Sequence, residues 1–223
     1  MGRTIFIGDV HGCAEELHEL LDAVAFVMGE DRLFLTGDAF TKGLDPLAVW
    51  KLILDTGAEM VMGNHDSALL DKFEIRLQGA EKEMKPDHKR ILDALMPVVN
   101  ELIPWLKDLS LYIEEERFLL VHAGINPQKE LAGTAKDEFI AIRTWPPIKG
   151  IEGPRWHDVY EPIRPLLIFG HDAPQGLLIK RTKKGRPYLV GLDSGCVYGR
   201  QLSAYIHEED RVVQVESRQG RRY

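Results

Sequence analysis

Hydrophobic and polar positions in the N-terminal part of the chain alternate between short continuous apolar runs and stretches where apolar residues recur every three to four positions. The run from Thr4 to Gly8 predicts a strand closed by a turn glycine. Leu17, Leu20, Leu21 and Val24 then fall at i, i+3, i+4 and i+7, the stripe of an amphipathic helix. Leu33-Phe34-Leu35 predicts a second strand. Asp45-Pro46 reads as an N-cap with proline at the first helical position, opening a helix through Trp50 and Ile53-Leu54. Glu59 to Met62 supplies a third strand. Strands and helices alternating at roughly 30 residues per repeat have βαβ spacing, which favours a parallel, layered sheet.

From Ser67 to Asp108 the pattern becomes helical, with Leu69-Leu70, Phe73, Leu77, Ile91-Leu92, Leu95, Val98-Val99 and Leu102 interrupted by Gly79 and Pro86. This predicts a helical insertion at about residues 67–108. Leu109 to Ile113 and Arg117 to Val121 read as a hairpin. The segment from Asn126 to Pro165, rich in Pro, Gly and Trp, reads as loop. Short apolar runs at 166–169, 177–179, 188–190, 202–206 and 212–215 predict a second, mainly antiparallel sheet. Candidate histidines lie in both halves, so one domain over residues 1–223 is expected, of class α/β with α+β elements.

Composition narrows the class. At 223 residues, 44% hydrophobic and 28% charged, the chain is long enough to bury a core without disulfides and shows no bias toward disorder. No apolar stretch approaches the ~20 residues of a spanning helix. Thr4 to Ile7 follows Met1-Gly2-Arg3 directly, with no secretory pattern, so a cytoplasmic protein is expected. A formal charge of −7 disfavours a stable nucleic-acid partner or an anionic membrane. The basic run Lys180 to Arg186 reads as a solvated hairpin turn, and Arg221-Arg222 as a loose tail. Cys13 and Cys196 lack paired motif spacing and read as small buried thiols. His18, His88, His157 and His207 lack glycine-flanked strand-end contexts and read as structural or exposed.

Five segments, each following an apolar run, concentrate metal-seeking side chains: Gly8-Asp9-Val10-His11-Gly12, Gly37-Asp38, Gly63-Asn64-His65-Asp66, His122-Ala123-Gly124 and Gly170-His171. Residues that follow the C-terminal ends of strands in layered sheets gather at one edge, so these segments are expected to converge. A mixed Asp, Asn and His donor set suits manganese, iron or zinc better than calcium.

With Lys42-Gly43 and the stretch Gly191-Leu192-Asp193-Ser194-Gly195-Cys196, these motifs resemble the calcineurin-like metallophosphoesterases, and within them the phosphoprotein phosphatases and their bacterial relatives. The resemblance spans most of the chain. It implies a two-sheet β-sandwich flanked by helices in four layers. It also implies a two-metal centre in which Asp9 and His11 bind the first ion, Asn64, His122 and His171 the second, and Asp38 both. Manganese is the first choice. Two cations about 3.5–4 Å apart can hold a bridging hydroxide for in-line attack on phosphorus. The resemblance implies that His65, placed in the loop between ligands, is the general acid, and that Lys42, Arg143 and Asn64 contact phosphate. Asp66 would orient His65 or support a ligand.

Thr41 departs from the pattern, since phosphatases of this family carry there an aspartate that pairs with the general-acid histidine. A non-acidic residue before Lys-Gly resembles the diadenosine tetraphosphatase branch, whose leaving group has a lower pKa and needs protonation less. The expectation placed first is a phosphatase of phosphoserine or phosphothreonine proteins and small phosphate esters. Hydrolysis of diadenosine tetraphosphate comes second and a catalytically silent phosphate-binding scaffold third. The substrate is accordingly a phosphorylated protein or a nucleotide, and the oligomeric state stays open.

Overall fold

The computed structural model describes residues 2–79, 84–129, 131–147, 152–162 and 166–220. Arg221-Arg222 therefore lie outside the described residues. The chain begins β1 (Thr4–Ile7), α1 (Ala14–Ala23), β2 (Arg32–Leu35), α2 (Pro46–Thr56) and β3 (Glu59–Met60). The three strands pair in parallel through their βαβ crossovers. Asp45 accepts the Ala48 N–H at 2.9 Å as the N-cap of α2, with Pro46 at its first turn.

Helices α3 (Asn64–Leu77), α4 (Pro86–Leu95) and α5 (Val99–Asp108) follow, the last two joined by a short 3₁₀ turn. Helix α3 starts three residues earlier than the apolar stripe predicts, because Gly63 is extended at the N-cap and Asp66, at the third helical position, accepts the Gly63 N–H. His65 therefore stands in the first turn of a helix, not in a loop.

Strands β4 (Tyr112–Glu114) and β5 (Leu119–Val121) form the expected hairpin. The segment read as loop holds α6 (Lys136–Ala141) and a 3₁₀ turn at Trp156–Asp158. Strands β6 (Leu167–Phe169), β7 (Leu178–Arg181), β8 (Pro187–Gly191), β9 (Gln201–Ile206) and β10 (Arg211–Glu216) complete the described strands.

These last strands do not make a sheet of their own. Strands β9 and β10 join the first sheet in the order β10-β9-β1-β2-β3, and β6, β7 and β8 join the hairpin in the order β4-β5-β6-β8-β7. Both sheets are mixed, since β6 runs parallel to β5 and to β8 while β4 and β7 are antiparallel edges. The long connections after β5 and β6 allow parallel return, which short turns would forbid.

Period-two alternation assigns each strand residue to a layer. Ile5, Ile7, Leu33 and Leu35 face the cluster under α1 to α5, whereas Phe6 and Phe34 face the second sheet. Leu120 and Ile168 answer from that sheet, while Leu119, Val121, Leu167 and Phe169 pack outward against Trp156 and α6. Phe6, Phe34 and Phe118 meet with ring centroids 4.8–5.4 Å apart between the sheets. The result is an α/β sandwich in which β1, β5 and β6 are buried on both faces, so they read as continuous apolar runs.

Candidate functional site

The C-terminal ends of β1, β2, β5, β6 and β8 and the N-terminus of α3 meet at one edge of the sandwich, around a cavity of about 450 Å³. Asp9, His11, Asp38, His122 and His171 are all buried there. Asp38 is central. Its Oδ2 lies 3.6 Å from His11 Nε2 and 3.5 Å from His122 Nε2, and its Oδ1 accepts the His65 N–H at 2.8 Å. Asp9 accepts the Thr36 hydroxyl at 2.8 Å and the His171 N–H at 3.0 Å.

Each candidate histidine ligand is tethered by one ring nitrogen; His11 and His171 line the cavity, while the other nitrogen of His122 faces Asn64 and Asp38. His122 Nδ1 meets the Thr36 carbonyl at 2.8 Å, and His11 Nδ1 meets the Thr41 hydroxyl at 2.9 Å. His171 bonds the Ala141 carbonyl, while its buried Nε2 has no hydrogen-bond partner. Such tethers set the tautomer and ring angle of metal-binding histidines.

Three observations test whether a divalent cation fits. Because His122 donates through Nδ1, its Nε2 carries a lone pair, yet it faces the Asn64 amide oxygen at 3.1 Å and the Asp38 carboxylate. Three acceptors that converge in this way are the donor set a divalent cation takes. Burial pushes the carboxyls of Asp9 and Asp193 above their ordinary range and that of Asp38 up to about 7; repulsion among these acids acts in the same direction. Burial also pushes His122 down to about 4 and His11 and His171 well below the usual histidine value, aided by neighbouring cationic groups, so the rings are neutral donors. Two groupings, His11 with Asp38 and His65, and Asp38 with His122 and His171, have ligand atoms within 4.8 Å of one another. The donor set fits. Asp38 is common to both. A third grouping, Cys13, Glu16 and Cys196, is buried in the core, and none of its members lines the cavity.

The polypeptide reaches this arrangement through backbone that ordinary elements avoid. His11, Asp38, Lys42 and His171 all have positive φ, between 47° and 69°. Residues in this region cost of order 1–3 kcal/mol each and persist where surrounding bonds over-determine them. A Cβ at Gly170 would collide with the Asp9 carboxylate, so only glycine permits that approach.

Asp66 does not meet the His65 ring. Its carboxylate accepts the N–H groups of Asp38 at 2.6 Å, Gly63 at 3.1 Å and Ala39 at 3.2 Å, and it holds the Asp38 loop in shape from behind the cavity. Asn64 likewise lies beneath the cavity and points at His122, with no place among the lining residues. His65 lines the cavity, 5.0 Å from the His11 ring, and burial with nearby Lys42 brings its pKa down to about 3. Among the described residues no carboxylate forms an ion pair with it, and Thr41 bonds His11 instead.

Lys42 lines the mouth with Nζ 2.9 Å from His11 Nε2 and 5.1 Å from the centre of the Tyr198 ring. Arg143 donates to the His171 carbonyl at 3.2 Å and stands 3.9 Å from Asp172, whose close partner is Arg155 at 2.8 Å. Arg143 is thus not consumed by a tight ion pair and faces the cavity.

Sequence reasoning assigned no role to Asp193, Arg200 or Arg90. Asp193 lines the cavity beside the Asp9 and Asp38 charges, at the quoted Gly191 to Cys196 motif where a role was legible. Arg200 lines the opposite wall, held by the Ala173 carbonyl at 3.0 Å, and Arg90 of α4 clamps the carbonyls of Lys42 and Gly43 at 3.1 and 2.8 Å. No local motif marks these two arginines.

The sequence profile of the calcineurin-like phosphoesterases matches residues 2–212. The chain belongs to this family. Calcineurin-like phosphoesterases hydrolyse phosphoesters with divalent metals, in keeping with the donor set above. Among its relatives, the symmetrical bis(5'-nucleosyl)-tetraphosphatase of Proteus mirabilis is 41% identical over 137 residues, 60% of this chain and 48% of that protein. The chain spans about half the length of the first curated relatives it matches. The enzyme of the same name from Dechloromonas aromatica is 31% identical over 96% of this chain and 95% of its own length. A crystal structure provisionally named a diadenosine tetraphosphatase superposes with a TM-score of 0.77 at 30% identity, covering 98% of this chain and 95% of that one. A protein serine/threonine phosphatase from Saccharomyces cerevisiae shares the fold, with a TM-score of 0.60 at 12% identity over all of this chain and 81% of its own. No helix among the described residues of this calcineurin-like phosphoesterase is long and apolar enough to cross a membrane.

Proposed function

We propose that this phosphoesterase hydrolyses dinucleoside tetraphosphates, cleaving the polyphosphate bridge to release nucleoside diphosphates. The observation that carries this reading is the residue before Lys42: Thr41 bonds His11, and among the described residues no carboxylate forms an ion pair with the His65 ring. A serine alkoxide departs at high cost without a proton from a well-poised acid, whereas a nucleoside diphosphate is a stable anion as it leaves. The order of the two readings taken from sequence is therefore reversed. The names of the relatives support the same choice, while the likeness to the yeast phosphatase extends to fold alone.

In this reading Asp9, His11, Asn64, His122 and His171 hold two divalent cations and Asp38 serves both, manganese being the first choice and iron or zinc the alternatives. When bound, such cations supply Lewis acidity toward phosphoryl oxygens and a water of lowered pKa. Lys42, Arg143 and Arg200 offset the substrate's negative charge, with the arginines suited to bidentate contact and the lysine acting as a mobile point charge. His65 lies on the leaving-group side as a neutral hydrogen-bond donor.

Incubating the manganese-loaded protein with diadenosine tetraphosphate and, separately, with a phosphoserine and phosphothreonine peptide panel tests the proposal. ADP should be the sole nucleotide product, at a kcat/KM well above that for any peptide. Turnover of peptides alone would overturn it.

A further inference from the structure

Beside the main cavity, on the far side of His65, lies a second recess of about 210 Å³ between α3, α4 and the Lys42 loop. Lys42 and His65 line both spaces, so the two adjoin at these side chains. Its floor is apolar, made by the buried Leu69 of α3 and Ile91 of α4. Its rim carries Lys72, Asp87 and His88. The Lys72 ammonium donates to the Ala68 carbonyl of its own helix at 3.0 Å and forms no ion pair among the described residues. Lys72 is a half-buried cation that feels Asp71 electrostatically but forms no ion pair among the described residues, so its charge is available to an anion in the recess. The walls are also fixed in place, because Arg90 ties α4 to the Lys42 and Gly43 carbonyls.

We infer that this recess binds the departing nucleoside diphosphate, with Lys72 and Lys42 on its phosphates, Asp87 and His88 toward its ribose hydroxyls, and Leu69 and Ile91 beneath its base. The chemistry of the rim orders the ligand: Asp87 repels phosphate and accepts hydroxyls, so the phosphates face the lysine side. The inference rests on the reading of the main cavity as the hydrolytic site and deepens it by naming where the leaving half goes.

The test uses manganese-loaded wild-type, Lys72→Ala and Lys72→Arg proteins with p-nitrophenyl phosphate, whose leaving group has neither phosphate nor ribose. ADP and inorganic phosphate serve as separate inhibitors of that turnover. Loss of one charge-assisted contact in a partly buried site is expected to weaken ADP inhibition about tenfold or more in Lys72→Ala. Lys72→Arg should recover most of it, and inhibition by phosphate should change far less. Equal weakening for both inhibitors, or no weakening for ADP, would overturn the subsite. With diadenosine tetraphosphate as substrate, the same Ala variant should raise KM more than it lowers kcat. Failure of every variant, wild type included, to cleave the tetraphosphate would sink the proposed substrate. The ADP inhibition series would still decide the recess.

Discussion

Asp66 and Thr41 show how single side chains set this site without lining the main cavity. Asp66 spends its carboxylate on three backbone N–H groups, two of them at Asp38 and Ala39, in the segment where Asp38 adopts positive φ. Replacing one buried oxygen by an amide NH₂ turns an acceptor into a donor facing donors, at a cost of about 1–3 kcal/mol. Asp66→Asn should lower Tm by roughly 3–10 °C for a domain of this size and weaken metal uptake, read by thermal unfolding with and without manganese. Thr41 orients His11 through its hydroxyl. Thr41→Ala should leave Tm nearly unchanged but cost about 10–100-fold in metal affinity or activity, measured by titrating metal against turnover.

At the scale of elements, the site depends on how β1 is seated. Arg3 at its start donates to the carbonyls of Val24 and Ala25 and forks onto Asp31, with the closest contact at 2.6 Å, so the end of α1, the turn after it and the entry to β2 are tied to one guanidinium. The side-chain hydrogen bond from Arg3 holds the Asp31 carboxyl down at about 2, assisted by backbone N–H groups of Arg3 and Val27. A depressed carboxyl stabilises the folded state above its unfolded pKa, near 3.9. That contribution is lost as pH falls from there through about 2. Arg3→Gln should therefore lower Tm near pH 6 by a few degrees, with the gap to wild type narrowing between about pH 4 and pH 2 to the share owed to the Val24 and Ala25 carbonyls; a pH series of unfolding curves measures it.

For the whole molecule, function and stability meet at the sheet edge. Asp9, Asp38 and Asp193 are buried carboxyls whose ionised forms burial and mutual repulsion disfavour, a cost that a bound cation would offset. A ligand bound only to the folded state at 100 times its dissociation constant adds about 2.7 kcal/mol. Manganese should accordingly raise Tm by roughly 5–10 °C and excess chelator should return it to the metal-free value. Asp38→Asn should abolish most of that shift, because one carboxylate belongs to both candidate groupings.

Much of this was legible in the residues. The strands with both faces covered appear as unbroken apolar runs, the α2 N-cap as Asp45-Pro46, and the donor set as glycine-flanked Asp, Asn and His, because each depends on local periodicity or turn chemistry. The sharing of the late strands between two sheets was not legible, since the local pattern of β6 or β9 does not name its neighbours and only packing decides which sheet each joins. The helical setting of His65, the Thr41 tether to His11 and the arginines from α4 and the last loops belong to the same class. Sequence alone placed the chain among the calcineurin-like phosphoesterases and supplied the glycine-flanked Asp, Asn and His donors. The tertiary structure decided which partner each side chain takes, because hydrogen bonds between residues distant in sequence are set by layer packing and not by neighbours along the chain.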